Sequence, residues 1–480
     1  MKRTICSIVA SAVLLAGFAG CTGSGQPNGT NFSDVEATGA NGPGLNTRQF
    51  LFVADRGIAY PDVNQANVAA DDILPAVIPA GSTLYRVEDS GGTTAGTRVY
   101  ELLGANNRPL PNARLSLLNS IGNIGGTTTV NVHAPTGVIL ESSAAKGRSR
   151  PDTNDATAQP MSQIQVINGI LPFSIGAPPA NASVFGHSLD AAGTLGSADF
   201  TNLAFHPSLP LVYRTATGTT ALNGAIEVFT YNSANSGITS SSFVTTAGSP
   251  RAIAFHPNGR FLYVADFNGN VIRYSINQTT GALTNRVALA SGGVNTHGLS
   301  FSRNGAFLFV ASQGNAGTPG SIDVFAVDAG TGALTAVQHA VAPAGTSPTM
   351  LTSHRNVDKL YVAALTALLT YNIDPATGTL TLADSDNPFV PVGAGTSPGQ
   401  PANVIVDATG LYLIVANASP LGTAPGNQLF ADDPNNNNDN KPTASGSINV
   451  FSLNAQNNPE FYDAEATPIN PMGLAVYQSN

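Results

Sequence analysis

Three polar side chains in an otherwise apolar, Gly-rich part of the chain are of types that could act together: Arg251, Asp266 and His297. A guanidinium can hold a developing oxyanion, and an imidazole or carboxylate can direct water. The trio therefore suits attack on the carbonyl of a lactone or carboxylic ester. A structural reading stands beside it, with Arg251 and Asp266 pairing within a hairpin and His297 serving as a turn residue. Which reading applies depends on the elements that carry the three residues.

Those elements are short strands in a repeat of roughly fifty residues. The clearest unit is Ser249–Leu283. Two apolar, β-rich runs, Ala252–Phe255 and Phe261–Ala265, flank His256-Pro257-Asn258-Gly259, and Asn-Gly between such runs signals a tight hairpin. A third strand follows at Val271–Ile276, and a turn at Thr280-Gly281 leads to a fourth. Four strands in a meander make one propeller blade. The hairpin recurs at Thr128–His133 with Gly137–Leu140, at Asn202–Pro207 with Leu211–Tyr213 and at Gly298–Phe301 with Ala306–Val310. It recurs again at Thr349–Ser353 with Lys359–Val362 and at Asn403–Val406 with Leu411–Val415. Third strands are expected at Ser183–Leu189, Ile226–Tyr231, Ile322–Val327, Leu368–Ile373 and Ile448–Leu453.

The two ends carry complementary fragments. Phe50–Asp55 matches a second strand with no first strand before it, and Pro471–Val476 matches a first strand with nothing after it. Joined, they give a seventh blade and remove two exposed sheet edges. The expected fold is all-β: a seven-bladed β-propeller of four-stranded antiparallel blades over residues 47–480, closed by a composite blade from both termini. Around its channel the inner strands enter at Met472, Thr128, Thr201, Arg251, His297, Thr349 and Ala402. Only Arg251 and His297 of these are strongly polar, and they fall in adjacent blades. Asp55 and Asp266 end second strands on the same face. His206 and His256 fall in Phe-His-Pro turns on the opposite face, a blade apart, and read as turn residues rather than a metal pair.

FHPNGRFLYVAD followed by VIRYSINQTTGAL resembles the seven-bladed lactonase-like propellers, which include 6-phosphogluconolactonases and YVTN-repeat proteins. The resemblance implies the fold over roughly residues 47–480 and, for activity, lactone hydrolysis. The lactonase pattern resembles GPRH, then an Asn-Glu pair one strand later. Arg251 matches its Arg, but Ala252 stands at the His and Phe267 at the Glu. The absence of Trp sets the chain apart from WD-repeat propellers.

The N-terminus reads as an address. Lys2 and Arg3 precede an apolar run from Ile5 to Phe18, and Ala19-Gly20 forms a small-residue cleavage site. Phe18-Ala19-Gly20-Cys21 resembles a bacterial lipoprotein signal, which makes Cys21 the acylated first residue of the mature chain. Cys6 leaves with residues 1–20, so Cys21 has no disulfide partner within the chain. Residues 21–46 read as a flexible tether. The expected location is the cell envelope, at the membrane through the lipid.

Charged residues are only 10% of the chain, the net charge is −9 and lysine occurs only at positions 2, 146, 359 and 441. That composition argues against nucleic acid as a partner. Long connections between second and third strands, about Arg56–Gly81, Ala144–Ala182 and Ala418–Gly446, gather on blades one, two and seven. They lie on the face of Arg251 and His297 and are long enough to be functional. The last contains ADDPNNNNDN, where Asp432, Asp433 and Asp439 offer oxygen ligands that suit Ca²⁺ but lack EF-hand spacing, so a solvated loop is the favoured reading. The leading functional expectation is a lipid-anchored binding or scaffold protein that uses this face for a protein, a glycan or a small sugar acid. The alternative is a lactonase-like hydrolase of a sugar lactone.

Overall fold

The computed structural model describes residues 49–55, 96–103, 114–122, 127–133, 138–143, 161–167, 182–188, 199–217, 224–232, 237–246, 248–365, 367–387, 400–418, 430–432, 440–442, 446–467 and 471–478. These form seven four-stranded antiparallel sheets and one two-stranded ribbon.

Blade 4 shows how sequence becomes structure. Its strands are Pro250–Phe255, Phe261–Asp266, Asn270–Ile276 and Leu283–Ala290, paired in that order from the inside outwards. The Asn-Gly turn closes through Gly259 N–H donating to His256 O at 2.8 Å, with Gly259 at φ 71°, where a side chain would be strained. Every residue of Phe261–Asp266 is buried, because neighbouring blades cover both faces of a second strand. The second strands Phe307–Ser312 and Lys359–Ala364 are buried throughout in the same way. Their apolar runs are therefore continuous rather than alternating. Outer strands meet solvent, and Leu283–Ala290 is exposed at every position after Leu283.

The inner strands form a closed ring. Pro471–Gln478 packs against Thr127–His133, then Asp199–Phe205, Pro250–Phe255, Thr296–Phe301, Pro348–Ser353 and Gln400–Val406, which returns to Pro471–Gln478. Bonds between inner strands reinforce the ring. Asn131 Nδ2 donates to Leu203 O at 3.1 Å and Asn403 Nδ2 to Met472 O at 3.0 Å. Blade 1 is the expected composite, since Gln49–Asp55 pairs antiparallel with Pro471–Gln478 on one side and Gly96–Leu103 on the other.

Apolar packing and a repeated tyrosine hold blade to blade. Leu211, Ile226, Ile253, Leu262, Val264 and Ile272 make one cluster across blades 3 and 4. Each such side chain contributes roughly 2 kcal/mol by leaving water. Tyr213, Tyr263 and Tyr361 each reach into the next blade, where the hydroxyl donates at 2.7 Å to the carbonyl of Gly281, Gly332 or Asn457. Charge enters this apolar pattern at one register position, where blade 2 has Glu141. At that position, held by Val53, Val264, Val310, Val362 and Val415 elsewhere, blade 3 has Arg214, fully buried in a 2.5 Å ion pair with Glu227.

Two expectations need correction. Blade 2 consists of Thr127–His133, Val138–Ser143, Met161–Ile167 and Ala182–Ser188, so the segment expected as its third strand is its outer strand. The third strand is Met161–Ile167, and the connection before it spans 144–160. Blade 1 resumes only at Gly96, so its connection spans 56–95. The connection between Ala418 and Gly446 has the expected bounds and carries a ribbon, Phe430–Asp432 paired with Asn440–Pro442.

Removing residues 471–480 strips blade 1 of its inner strand and reopens the ring. Loss of the cooperative thermal transition in near-UV circular dichroism is the expected outcome. A truncated chain that melts like the full one would contradict closure by this pairing.

Candidate functional site

All seven inner strands carry an irregularity at the same place. The ladder to the second strand skips Met472, Thr128, Thr201, His297, Thr349 and Ala402, and in blade 4 it skips Arg251 together with Ala252. These are the seven entry residues read from the sequence. A bulged residue stands outside the ladder, and bulges commonly re-aim a side chain beside a functional site. A ring of bulges thus lines one end of the channel, opposite the ends of the second strands.

The described side chains among the seven differ plainly in what they offer. Met472 and Ala402 are apolar and half-buried. Thr349 turns back to its own blade, its Oγ1 donating to Ala363 O at 3.0 Å. The side chains of Thr128 and Thr201 lie outside the described residues. Arg251 and His297 are the remaining pair, and Phe267 joins them. The Arg251 guanidinium carbon lies 4.8 Å from the Phe267 ring centre. The His297 ring meets the same phenyl group edge-on, at 5.4 Å and 85°. Stacking engages the face of the guanidinium, whereas anions are bound by its N–H edge. The Arg251 carbonyl is fixed separately, accepting from Thr215 Oγ1 of blade 3 at 2.6 Å.

Burial, then the nearby Arg251 charge, push the His297 imidazole down to about 4, against a smaller upward pull from a Gln313 hydrogen bond. His297 is therefore neutral at physiological pH. Its Nε2 is buried without a hydrogen-bond partner. Gln313 belongs to a loop held firmly against this spot. Its N–H donates to Asn295 O at 2.9 Å, Gly314 N–H to Val294 O at 3.0 Å, and Asn295 Nδ2 to Gly314 O at 2.7 Å.

Asp266 is placed differently. Its side chain is buried, and Oδ1 accepts from Ser249 N–H at 2.8 Å and Asn268 N–H at 3.3 Å. Gly248 lies so close that any Cβ there would collide with the carboxylate. Asp266 thus ties the connection from blade 3 to the end of its own second strand. The structure brings Arg251 and His297 together across blades 4 and 5 and turns the Asp266 carboxylate to backbone. Sequence reasoning noted Phe267 only as a departure from the lactonase pattern and did not see Gln313, whose loop, SQGNAGTPG, has only turn composition. A polar residue one position past a second strand, beside a polar bulge, was the available signal.

The long connections leave from this same end. Asp55, Ser143 and Ala418 pair with Pro471, Thr127 and Gln400 at the bulge ends of blades 1, 2 and 7. The connections lie largely outside the described residues, as do Asp433 and Asp439, while the backbone of Asp432 pairs with Asn440. Cys21 lies outside them too. Among the described residues no cluster of three or more His, Cys, Asp or Glu side chains is arranged to hold a metal ion.

The opposite end is built from turns. His206 Nε2 bonds to Gly259 O at 2.7 Å and its Nδ1 accepts from the N–H groups of Ser208 and Leu209. His354 repeats this with Gly410 O at 2.8 Å and the N–H groups of Asn356 and Val357. His256 accepts from Asn258 N–H at 3.2 Å and packs edge-on against Phe301. These imidazoles clamp their own turns, and His206 and His354 also bridge to the next blade.

A closed ring of seven four-stranded blades with a bulged inner strand defines a seven-bladed β-propeller. Residues 213–318 and 312–461, together more than half the chain, match the family described as "Lactonase, 7-bladed beta-propeller", and the chain belongs to it. No curated protein matches the sequence. Among solved structures, a periplasmic gluconolactonase of Pseudomonas aeruginosa is 15% identical, with a TM-score of 0.58, covering 90% of this chain and 99% of its own. A protein from Lactobacillus plantarum is 13% identical at 0.56, covering 90% and 100%. One from Desulfotomaculum acetoxidans, described as functionally unknown, is 15% identical at 0.53, covering 79% and 95%. At these identities the likeness is one of fold.

Burial holds His206 and His354 below the ordinary imidazole value and takes His297 to about 4. The unfolded chain therefore takes up protons below pH ~6.5 that the folded chain refuses. Stability is complete above that pH and falls as pH drops towards ~4. The urea midpoint should decline over this window, and His297→Gln should flatten part of the decline. A midpoint constant across the window would contradict the assignment.

Proposed function

We propose that this propeller is a binding protein whose ligand site is the channel mouth between blades 4 and 5, taking a small sugar acid. The observation that carries the reading is the commitment of Asp266 to the N–H groups of Ser249 and Asn268. Arg251 supplies a cation suited to a carboxylate, but the carboxylate nearest it in sequence pattern is engaged as a structural clamp. His297 is a weak base at about 4, far from the near-neutral value that favours proton transfer. Binding asks for neither a free acid nor a matched base. The long connections leaving the same end of blades 7, 1 and 2 support a recognition surface beside the mouth.

A second reading, hydrolysis of a sugar lactone, is favoured by membership of the lactonase family and by Arg251 in the bulge ring. In it Arg251 holds the oxyanion and His297 directs water. Calorimetric titration with gluconate and a turnover assay with glucono-lactone separate the two. Gluconate binding without lactone turnover is expected, with Arg251→Ala weakening the binding roughly 10- to 100-fold, as loss of a charged hydrogen bond does. Lactone turnover abolished by Arg251→Ala would favour the second reading. Binding indifferent to Arg251 would sink both.

The reading includes export and anchoring to the bacterial cell envelope through an acyl group on Cys21, with residues 21–46 as the tether. It rests on the apolar run Ile5–Phe18 and the Ala19-Gly20-Cys21 junction. Replacing Cys21 with Ser should move the protein from the membrane pellet to the soluble fraction. Unchanged pelleting would remove the anchor from the proposal.

A further inference from the structure

Three Asn-Gly pairs lie wholly within the described residues, at 258–259, 268–269 and 304–305. Asparagine is chemically labile, most of all before glycine, where no Cβ shields its side-chain amide from the following main-chain nitrogen. In all three pairs the glycine N–H donates to a carbonyl in its own turn. Gly259 donates to His256 O and Gly305 to Ser302 O at 2.8 Å, and Gly269 to Asp266 O at 2.9 Å. The attacking nitrogen is thus held alike, and the difference lies in the amide. Asn258 Oδ1 accepts from Arg260 N–H at 2.9 Å, and its Nδ2 donates to Ala329 O of blade 5 at 2.9 Å. Asn304 Oδ1 accepts from Ser302 Oγ at 2.8 Å and from Ala306 N–H at 3.0 Å. The exposed Asn268 side chain makes no hydrogen bond among the described residues, and only its main-chain N–H is engaged, with Asp266 Oδ1 at 3.3 Å. The glycines differ as well. Gly259 and Gly305 are buried against His206 and His256 of the preceding blade, whereas Gly269 is half-exposed.

We propose that Asn268 is a modification site, at which the folded chain spontaneously loses ammonia and then takes up water. Gly269 N bonds to Asn268 Cγ as the Cγ–Nδ2 bond breaks, and the amide proton of Gly269 leaves on the ammonia. Water then opens the succinimide, returning a proton to the nitrogen. Opening at Cγ gives aspartate, and opening at the main-chain carbonyl of residue 268 gives isoaspartate. Either product places a new carboxylate in the loop of residues 267–269, which joins the paired Asp266 and Asn270. Isoaspartate also adds a main-chain carbon to that loop. The far end of the loop is fixed, since Gly269 O accepts from Ser291 N–H at 2.9 Å and from Ser291 Oγ at 3.1 Å. The added carbon must therefore be taken up between Asp266 and Gly269. Phe267, the ring that both Arg251 and His297 touch, lies in that interval.

The test ages the full chain in mildly alkaline buffer and follows it by peptide mass mapping. Tryptic cleavage after Arg251, Arg260, Arg273 and Arg303 puts the three pairs on separate peptides, and fragmentation assigns the residue within each. Asn268 should react about tenfold faster than Asn258 and Asn304, as the hydrogen bonds it lacks imply, and should yield both aspartate and isoaspartate. In urea the three rates should converge, because the selectivity belongs to the fold. Asn258 or Asn304 reacting as fast as Asn268 in the folded chain overturns the proposal, and so does aspartate formed without isoaspartate. An Asn268 that stays intact in the folded chain while reacting in urea overturns it too. Aged wild type should melt below fresh protein, and aged Asn268→Gln, whose longer side chain closes the ring slowly, should not. Equal melting of the two aged proteins overturns the effect on the loop.

Discussion

The pairing of Gln49–Asp55 with Pro471–Gln478 is the constraint on which everything else rests. Each inner strand pairs with the second strand of its own blade and packs against the inner strands on either side, and each second strand is buried by the neighbouring blades. Neither condition can be met at an open end. Closing the circle turns two half-covered sheets into one covered seam, so a single ladder between distant segments secures the burial of Leu51, Val53, Ile414, Val450 and Leu474 in one cluster. The ladder joins residues more than four hundred positions apart, and such closure carries a large entropic cost that the local hairpins do not share.

Within the ring, packing and polar bonds divide the work. Apolar residues of the second and third strands fill the seams, and tyrosine hydroxyls and turn imidazoles reach across to neighbouring backbone. These polar groups serve the fold, which is why His206 and His354, chemically able residues, are spent on turns. Asp266 is the instructive case at the other end. It stands beside a candidate site and is nonetheless occupied by two amide groups. The Arg214–Glu227 pair makes the same point, two charges fully buried against one another.

The architecture was largely legible in the sequence because turn chemistry and apolar runs recur with it. Asn258-Gly259 and its relatives mark the hairpins, and the unmatched fragments at either end account for the composite blade. The seven entry residues were also legible, since the offset from each hairpin is constant and the bulge repeats with it. Met161–Ile167 escaped notice because Ser162, Gln163 and Gln165 interrupt its apolar pattern. The orientation of Asp266 was not legible, and Gln313 left only the signal of a polar residue one position past a second strand. Both depend on how a loop settles against a strand end, and no local pattern records that placement.

The bulges also bear on how such a protein changes over generations. A residue skipped by the ladder has no cross-strand partner in register, so replacing it leaves the ladder itself in place. Seven such positions stand at one end of the ring, and at neutral pH all but Arg251 hold side chains without charge. Descent can therefore erase one chemistry at this rim and install another through single replacements, each leaving a folded protein. The diversity of a lineage built this way would collect on one narrow circle of residues while the rest of the wheel stayed still.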